Sequence, residues 1–144
     1  MTELYKLSLR EAALRIRSGK LTSAGYTRDL IARIDALEKD VQAWQWLDRV
    51  RALALAGRAD KADSAMRVAH PLHGIPIGVK DLFYTAGIPT EMGCRAYAGY
   101  VPDVTADVVV RLESAGGIMF GKTVTTEAAF MVPAKTRNPW NIAH

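Results

Sequence analysis

The sequence predicts an α/β fold whose first part is helical. Three observations carry that prediction. Apolar residues recur at helical spacing through residues 1–65, glycine and proline become frequent from Pro71, and short apolar strand-like runs then alternate with helical segments. The 144 residues fit one domain, read as a helical part over 1–65 and a strand, loop and helix part over 66–144. Hydrophobic residues are 49% and charged residues 24%, which is globular composition rather than disorder.

Ser8-Leu9-Arg10-Glu11 reads as a capping box, and Leu9, Ala12, Ala13 and Ile16 follow it at helical spacing. Gly19 is the expected stop, because glycine accepts a left-handed turn. Thr22 or Ser23 starts a second helix with Thr27, Leu30, Ile34 and Leu37 along one side, and Asp29 with Arg33 offers an i,i+4 pair. Val41 to Leu47, with Trp44 and Trp46, reads as extended, and an alanine-rich third helix runs from about Asp48 to Ala62. Beyond Pro71, Asp103 or Thr105 is the expected cap of a helix through Asp107–Ala115, ended by Gly116. Ile118-Met119-Phe120 reads as a short buried strand, and a further helix is expected near Thr125–Phe130. The segment from Arg137 to His144 reads as loop, and no internal repeat or low-complexity tract is present.

Charge and composition exclude several function classes. The net charge of +4 lies within residues 1–70, which hold 13 Lys/Arg against 9 Asp/Glu; residues 71–144 hold 6 of each. The basic residues are interleaved with acids on helical segments, whereas a nucleic-acid binder shows a denser stripe, so no nucleic acid is expected as partner. No apolar run approaches the roughly 20 residues of a membrane span, and Met1–Lys6 lacks the basic-then-apolar order of a secretory signal. The single cysteine, Cys94, excludes an internal disulfide and fits a reducing cytoplasm.

Lys80 is the residue that carries most functional information. It ends the run Pro71-Leu72-His73-Gly74-Ile75-Pro76-Ile77-Gly78-Val79-Lys80-Asp81, at a strand's carboxyl end, where α/β folds place their sites. Strand alternation puts Ile75, Ile77 and Val79 on one face and Pro76, Gly78 and Lys80 on the other, where small residues let other backbone approach. Desolvation there lowers a lysine pKa and allows it to act as general base. The plainer alternative is a strand-end lysine reaching solvent.

Gly116–Thr123 satisfies the P-loop pattern GxxxxGK[ST], but the context is wrong. A helix precedes Gly116, and Ile118-Met119-Phe120 inside the supposed loop is itself the strand. His70-Pro71-Leu72-His73 has an HxxH spacing without a third ligand, so neither metal nor cofactor is expected. Cys94 with His73 could form a thiol nucleophile, although a lone cysteine more often packs. Lys122 reads as a buried lysine bonded to carbonyls or to Glu127, with a catalytic role as the alternative. Asp81 reads as a cap or ion-pair partner, and Trp44, Trp46 and Trp140 as core or interface residues.

Together these blocks resemble the amidase signature family. Pro71–Asp81 is similar to its lysine-bearing strand, Ala115–Thr123 with Glu127 to its next block, and Asn138-Pro139-Trp140-Asn141 to the approach to its glycine- and serine-rich signature. The resemblance covers nearly the whole chain. It implies the N-terminal part of an α/β/α sandwich with a mixed central sheet, and a small-molecule amide as substrate. It also implies a Ser–cis-Ser–Lys triad in which Lys80 takes a proton through the bridging serine from the nucleophilic serine. The glycine- and serine-rich segment is expected just past His144. None of Ser8, Ser18, Ser23, Ser64 and Ser114 lies in a glycine-rich elbow, so Lys80 alone carries over as catalytic, and these 144 residues by themselves are expected to be inactive. Val124 stands where the family usually has asparagine, which favours a plain amidase over the alternative, a glutaminase subunit of a tRNA-dependent amidotransferase. A non-catalytic reading also remains: part of a sheet exposes an edge, through which the chain could bind a partner or form a homo-oligomer.

Overall fold

A computed structural model describes residues 3–143. Met1 and Thr2, at the head of the segment read as lacking a secretory pattern, and His144, the last residue of the expected loop, lie outside them. Helix α1 (Leu9–Arg17) opens on the capping box: Glu11 N–H donates to Ser8 Oγ, and Ser8 N–H to the Glu11 carboxylate. It stops at Gly19, whose φ of +72° suits glycine. Helix α2 (Ser23–Val41) is capped by Thr22, not Ser23, whose buried hydroxyl instead donates to Gly74 O. Asp29 and Arg33 do not pair. Asp29 accepts the Tyr5 amide at 2.8 Å, while Arg33 lies 4.7 Å from the Tyr5 ring centroid.

Strand β1 (Trp44–Leu47) and helix α3 (Arg49–Asp60, capped by Asp48) follow. Helix α4 (Ser64–Ala69), capped by Asp63, lies across the boundary at residue 65, where the sequence predicts no helix. Strand β2 (Pro76–Lys80), helix α5 (Asp107–Ser114) and strand β3 (Ile118–Thr123) complete the order. Neither expected residue caps α5: Ala106 occupies the position without a side-chain bond, and Thr105 Oγ1 accepts the Ala86 amide instead. The helix expected near residues 125–130 is only a 3₁₀ turn, Glu127–Ala129. Ala128 and Ala129 are left-handed there (φ +47° and +60°), and the Ala128 amide is drawn away to Met92 O at 2.9 Å.

The sheet order is β1-β3-β2, with β3 central, antiparallel to β1 and parallel to β2. It is therefore mixed, with helices on both faces. On one face Val79 and Met119 pack with Val109 of α5 and Ile88; on the other Phe120 packs with Ile31 of α2 and Ala52 of α3. Ile75 departs from the expected alternation. It precedes β2, its amide closes a turn to Leu72 O, and it packs with Ala12, Ile16 and Tyr26 beneath the N-terminal helices. Of the span Gly116–Thr123, Ile118–Thr123 is strand, not loop: Ile118, Met119 and Phe120 are buried, which stabilises the sheet by several kcal/mol and leaves nothing to wrap a phosphate.

Candidate active site

The parallel pair β2–β3 brings two lysines to the same end of the sheet on opposite faces. Lys80 pairs in register with Thr123, and Val79 with Lys122. Pro76, Gly78 and Lys80 alternate onto the face that carries Trp44, whose ring lies over Gly78. The close approach that the small residues permit is thus made by an indole rather than by backbone. A Cβ added at Gly78 would sit 3.2 Å from the ring, and one at Gly121 only 2.9 Å from it and 2.7 Å from Trp46 O. Beside this ring a groove of about 470 Å³ runs between the sheet and α2, lined by Tyr26, Leu30, Trp44, Pro76, Gly78 and Phe120, and Lys80 is not among its residues.

Lys80 is exposed at the carboxyl end of β2, and its ammonium forms no ion pair among the described residues. The desolvation anticipated for it is not supplied by these residues: α2 and α3 pack over Phe120 and Trp44 on its face of the sheet, and the end of β2 stays exposed. Its backbone is firmly held: Lys80 O accepts the Phe83 amide at 3.1 Å, and the next amide, Asp81 N–H, donates to Thr123 O at 2.8 Å.

Lys122 shows the opposite environment. Its side chain is fully buried, and Nζ lies 3.0 Å from Asp81 Oδ1, itself on a residue 1% exposed. The ammonium donates to Thr90 Oγ1 at 2.6 Å and to Pro89 O at 3.3 Å. Burial pushes its pKa below the ordinary value, with the Asp81 carboxylate opposing that shift in part. The second Asp81 oxygen accepts the Glu91 amide at 3.0 Å. Asp81 is thus the ion-pair partner of Lys122, and Glu127 is exposed and takes no part. Sequence reasoning missed Thr90 and Pro89; a lone threonine and a proline carry no pattern, and only the path of the 82–105 loop sets them against β3.

The remaining candidates do not converge. The His70 and His73 rings meet separate backbone carbonyls, Ser114 O and Ala59 O, and the described residues contain no cluster of three or more potential metal ligands. Cys94 is half-buried beside a pocket also lined by Gln45, Arg95, Thr125 and Lys135, while His73 is turned towards α3. All five serines lie at helix ends: Ser8 and Ser18 at the termini of α1, Ser23 and Ser64 opening α2 and α4, and Ser114 closing α5. Trp44 and Trp46 pack in the core, whereas Trp140 is 94% exposed.

Comparison with known proteins gives a consistent result. The family model described as Amidase matches residues 26–144. The chain is 36% identical to a glutamyl-tRNA(Gln) amidotransferase subunit of Streptomyces coelicolor over 99% of its length. It is 38% identical to a putative amidase, AmiD, of Mycobacterium bovis over 96%. The native peptide amidase of Stenotrophomonas maltophilia superposes with a TM-score of 0.82 at 30% identity over 96% of the chain. The chain spans 30% of the length of these two curated relatives and 31% of that solved structure.

Proposed function

The chain belongs to the amidase family, and from that premise we propose that it supplies the general-base part of a site that hydrolyses carbon–nitrogen amide bonds, with Lys80 as the base. The position of Lys80 carries this reading. It stands exposed at the carboxyl end of a parallel strand, where a second segment of an amidase domain could bring serines to it. In the Ser–cis-Ser–Lys scheme that the resemblance implies, neutral Lys80 accepts the proton of the bridging serine. That serine takes the proton of the nucleophilic serine as the latter attacks the amide carbonyl. Backbone amides of the serine-bearing segment hold the oxyanion, the amine or ammonia departs with a proton, and water releases the acid. Covering the exposed strand end would also provide the desolvation that lowers a lysine pKa.

In this scheme the 144 residues hold the base but neither serine, so by themselves they have no turnover. The substrate is a small amide. Glutamine is the second candidate, because the glutamyl-tRNA(Gln) amidotransferase stands among the relatives at an identity similar to the putative amidase. Val124, standing where the family usually has asparagine, favours the plain amidase. No helix among the described residues is long and apolar enough to cross a membrane, and a cytoplasmic placement belongs to the same proposal.

The test replaces the matching segment of the Stenotrophomonas maltophilia peptide amidase with these residues and follows ammonia release from a short peptide amide and from glutamine. Lys80→Ala and Lys80→Met should each lower turnover by about a thousandfold or more, as loss of a general base in an activated-serine mechanism does. Turnover that survives both substitutions excludes Lys80 as the base. Turnover by the 144 residues alone, abolished by Lys80→Ala, would show that they hold a nucleophile of their own.

A further inference from the structure

We propose that Lys122 is a positioning residue: from the opposite face of the sheet it pins Asp81, and through it the exposed strand end that carries Lys80. This rests on reading Lys80 as the base.

Four links converge on Asp81. Its amide donates to Thr123 O at 2.8 Å, and its carbonyl accepts the Met92 amide at 3.0 Å. One carboxylate oxygen accepts the Glu91 amide at 3.0 Å, and the other lies 3.0 Å from Lys122 Nζ. Lys122 in turn holds the 89–90 turn through Pro89 O and Thr90 Oγ1. Three stretches of chain, the end of β2, the end of β3 and residues 89–92, are thereby locked together one residue beyond Lys80. A buried ion pair contributes little net stability, and apolar residues of similar size often do as well. Fixing one geometry is what such a pair offers that a hydrophobic pair does not. The side chains of Lys80 and Asp81 leave the backbone on opposite faces, so Lys122 acts on Lys80 only through the main chain. Lys122 is 0% exposed, which excludes contact with a substrate held beside Lys80.

The first test uses the 144-residue chain and amide hydrogen exchange. Thr90→Val removes the oxygen that accepts from Nζ while keeping the side chain's shape. It should speed exchange at Asp81, Glu91 and Met92 by about tenfold and leave the buried core of α2 within about twofold. Lys122→Met should act more strongly at the same three amides. Asp81→Asn/Lys122→Met, which removes both charges but keeps an oxygen for the Glu91 amide, should restore most of the protection. Unchanged exchange in Thr90→Val, or equal acceleration throughout α2, overturns the proposal. The second test uses the peptide-amidase chimera. Thr90→Val should lower turnover by about tenfold, yet leave the residual rate unchanged when Lys80 is already alanine, because the two act as one unit. An equal loss in both backgrounds would make the pair merely structural and defeat the proposal. Full turnover in Lys80→Ala alone would instead remove the base assignment, and this proposal with it.

Discussion

Position 122 holds an ammonium with no access to water, and the consequences can be read from its charge. Lys122→Met leaves the Asp81 carboxylate buried without a counter-charge, which should destabilise by about 3–5 kcal/mol. Asp81→Asn/Lys122→Met removes both charges and should unfold at or above the wild-type denaturant midpoint. The comparison depends on pH in a definite direction. Burial lowers the Lys122 pKa from its ordinary value of 10.5 in the folded protein. Between the lowered value and the ordinary one, the unfolded chain binds more protons than the folded chain, so this group's contribution to stability rises with pH there and is flat below. Urea midpoints at about pH 7 and about pH 10 should therefore show wild type gaining on the double variant at the higher pH. A gap that moves the other way would mean that the folded state holds the lysine proton more tightly than the unfolded chain does.

At the level of elements, β3 is decisive because it is read correctly only against a competing motif. The pattern GxxxxGKT lies on it, but burial of Ile118, Met119 and Phe120 outweighs any loop conformation. Gly121 is required by space rather than by backbone torsion: a methyl group there would meet Trp46 O at 2.7 Å and the Trp44 ring at 2.9 Å. Gly121→Ala should destabilise by about 1–3 kcal/mol through overpacking, and Gly78→Ala by less, since its contacts begin at 3.2 Å. Thermal melts that rank the two in reverse would show that the β1 backbone yields more easily than the indole. Apart from α4, the order of helices and strands was legible from periodicity, caps and glycines, as α1, with its capping box and Gly19 stop, illustrates. What escaped was decided by tertiary partners. Thr105 serves the 86 amide instead of capping α5, and Ala128 turns left-handed because its amide answers Met92. The same holds at the site. Lys80 and a buried Lys122 were visible as misplaced charges, but choosing Asp81 over Glu127 as partner requires the β2–β3 register, which no local pattern encodes.

For the molecule as a whole, two surfaces compete as places of self-association. Among the described residues the outer edge of β2 is unpaired, which invites strand addition by a second copy. That edge is only five residues long, however, and Pro76 removes a donor from it while Lys80 places a charge at its end. The segment after β3 offers more: Phe130, Met131 and Trp140 are 74%, 78% and 94% exposed. Burying three such side chains from each of two copies, at about 2 kcal/mol each, gives a gross gain of about 12 kcal/mol. Lost rigid-body freedom opposes it by about 4–15 kcal/mol, so the dimer would be no tighter than about micromolar. The isolated chain should accordingly show a weight-average mass that rises with concentration in sedimentation experiments. Phe130→Ser/Trp140→Ser should return it to monomer, and Lys80→Val should leave the association unchanged. If Lys80→Val strengthens association while the double serine variant does not weaken it, the strand edge is the interface, and the apolar segment is no more than an exposed surface.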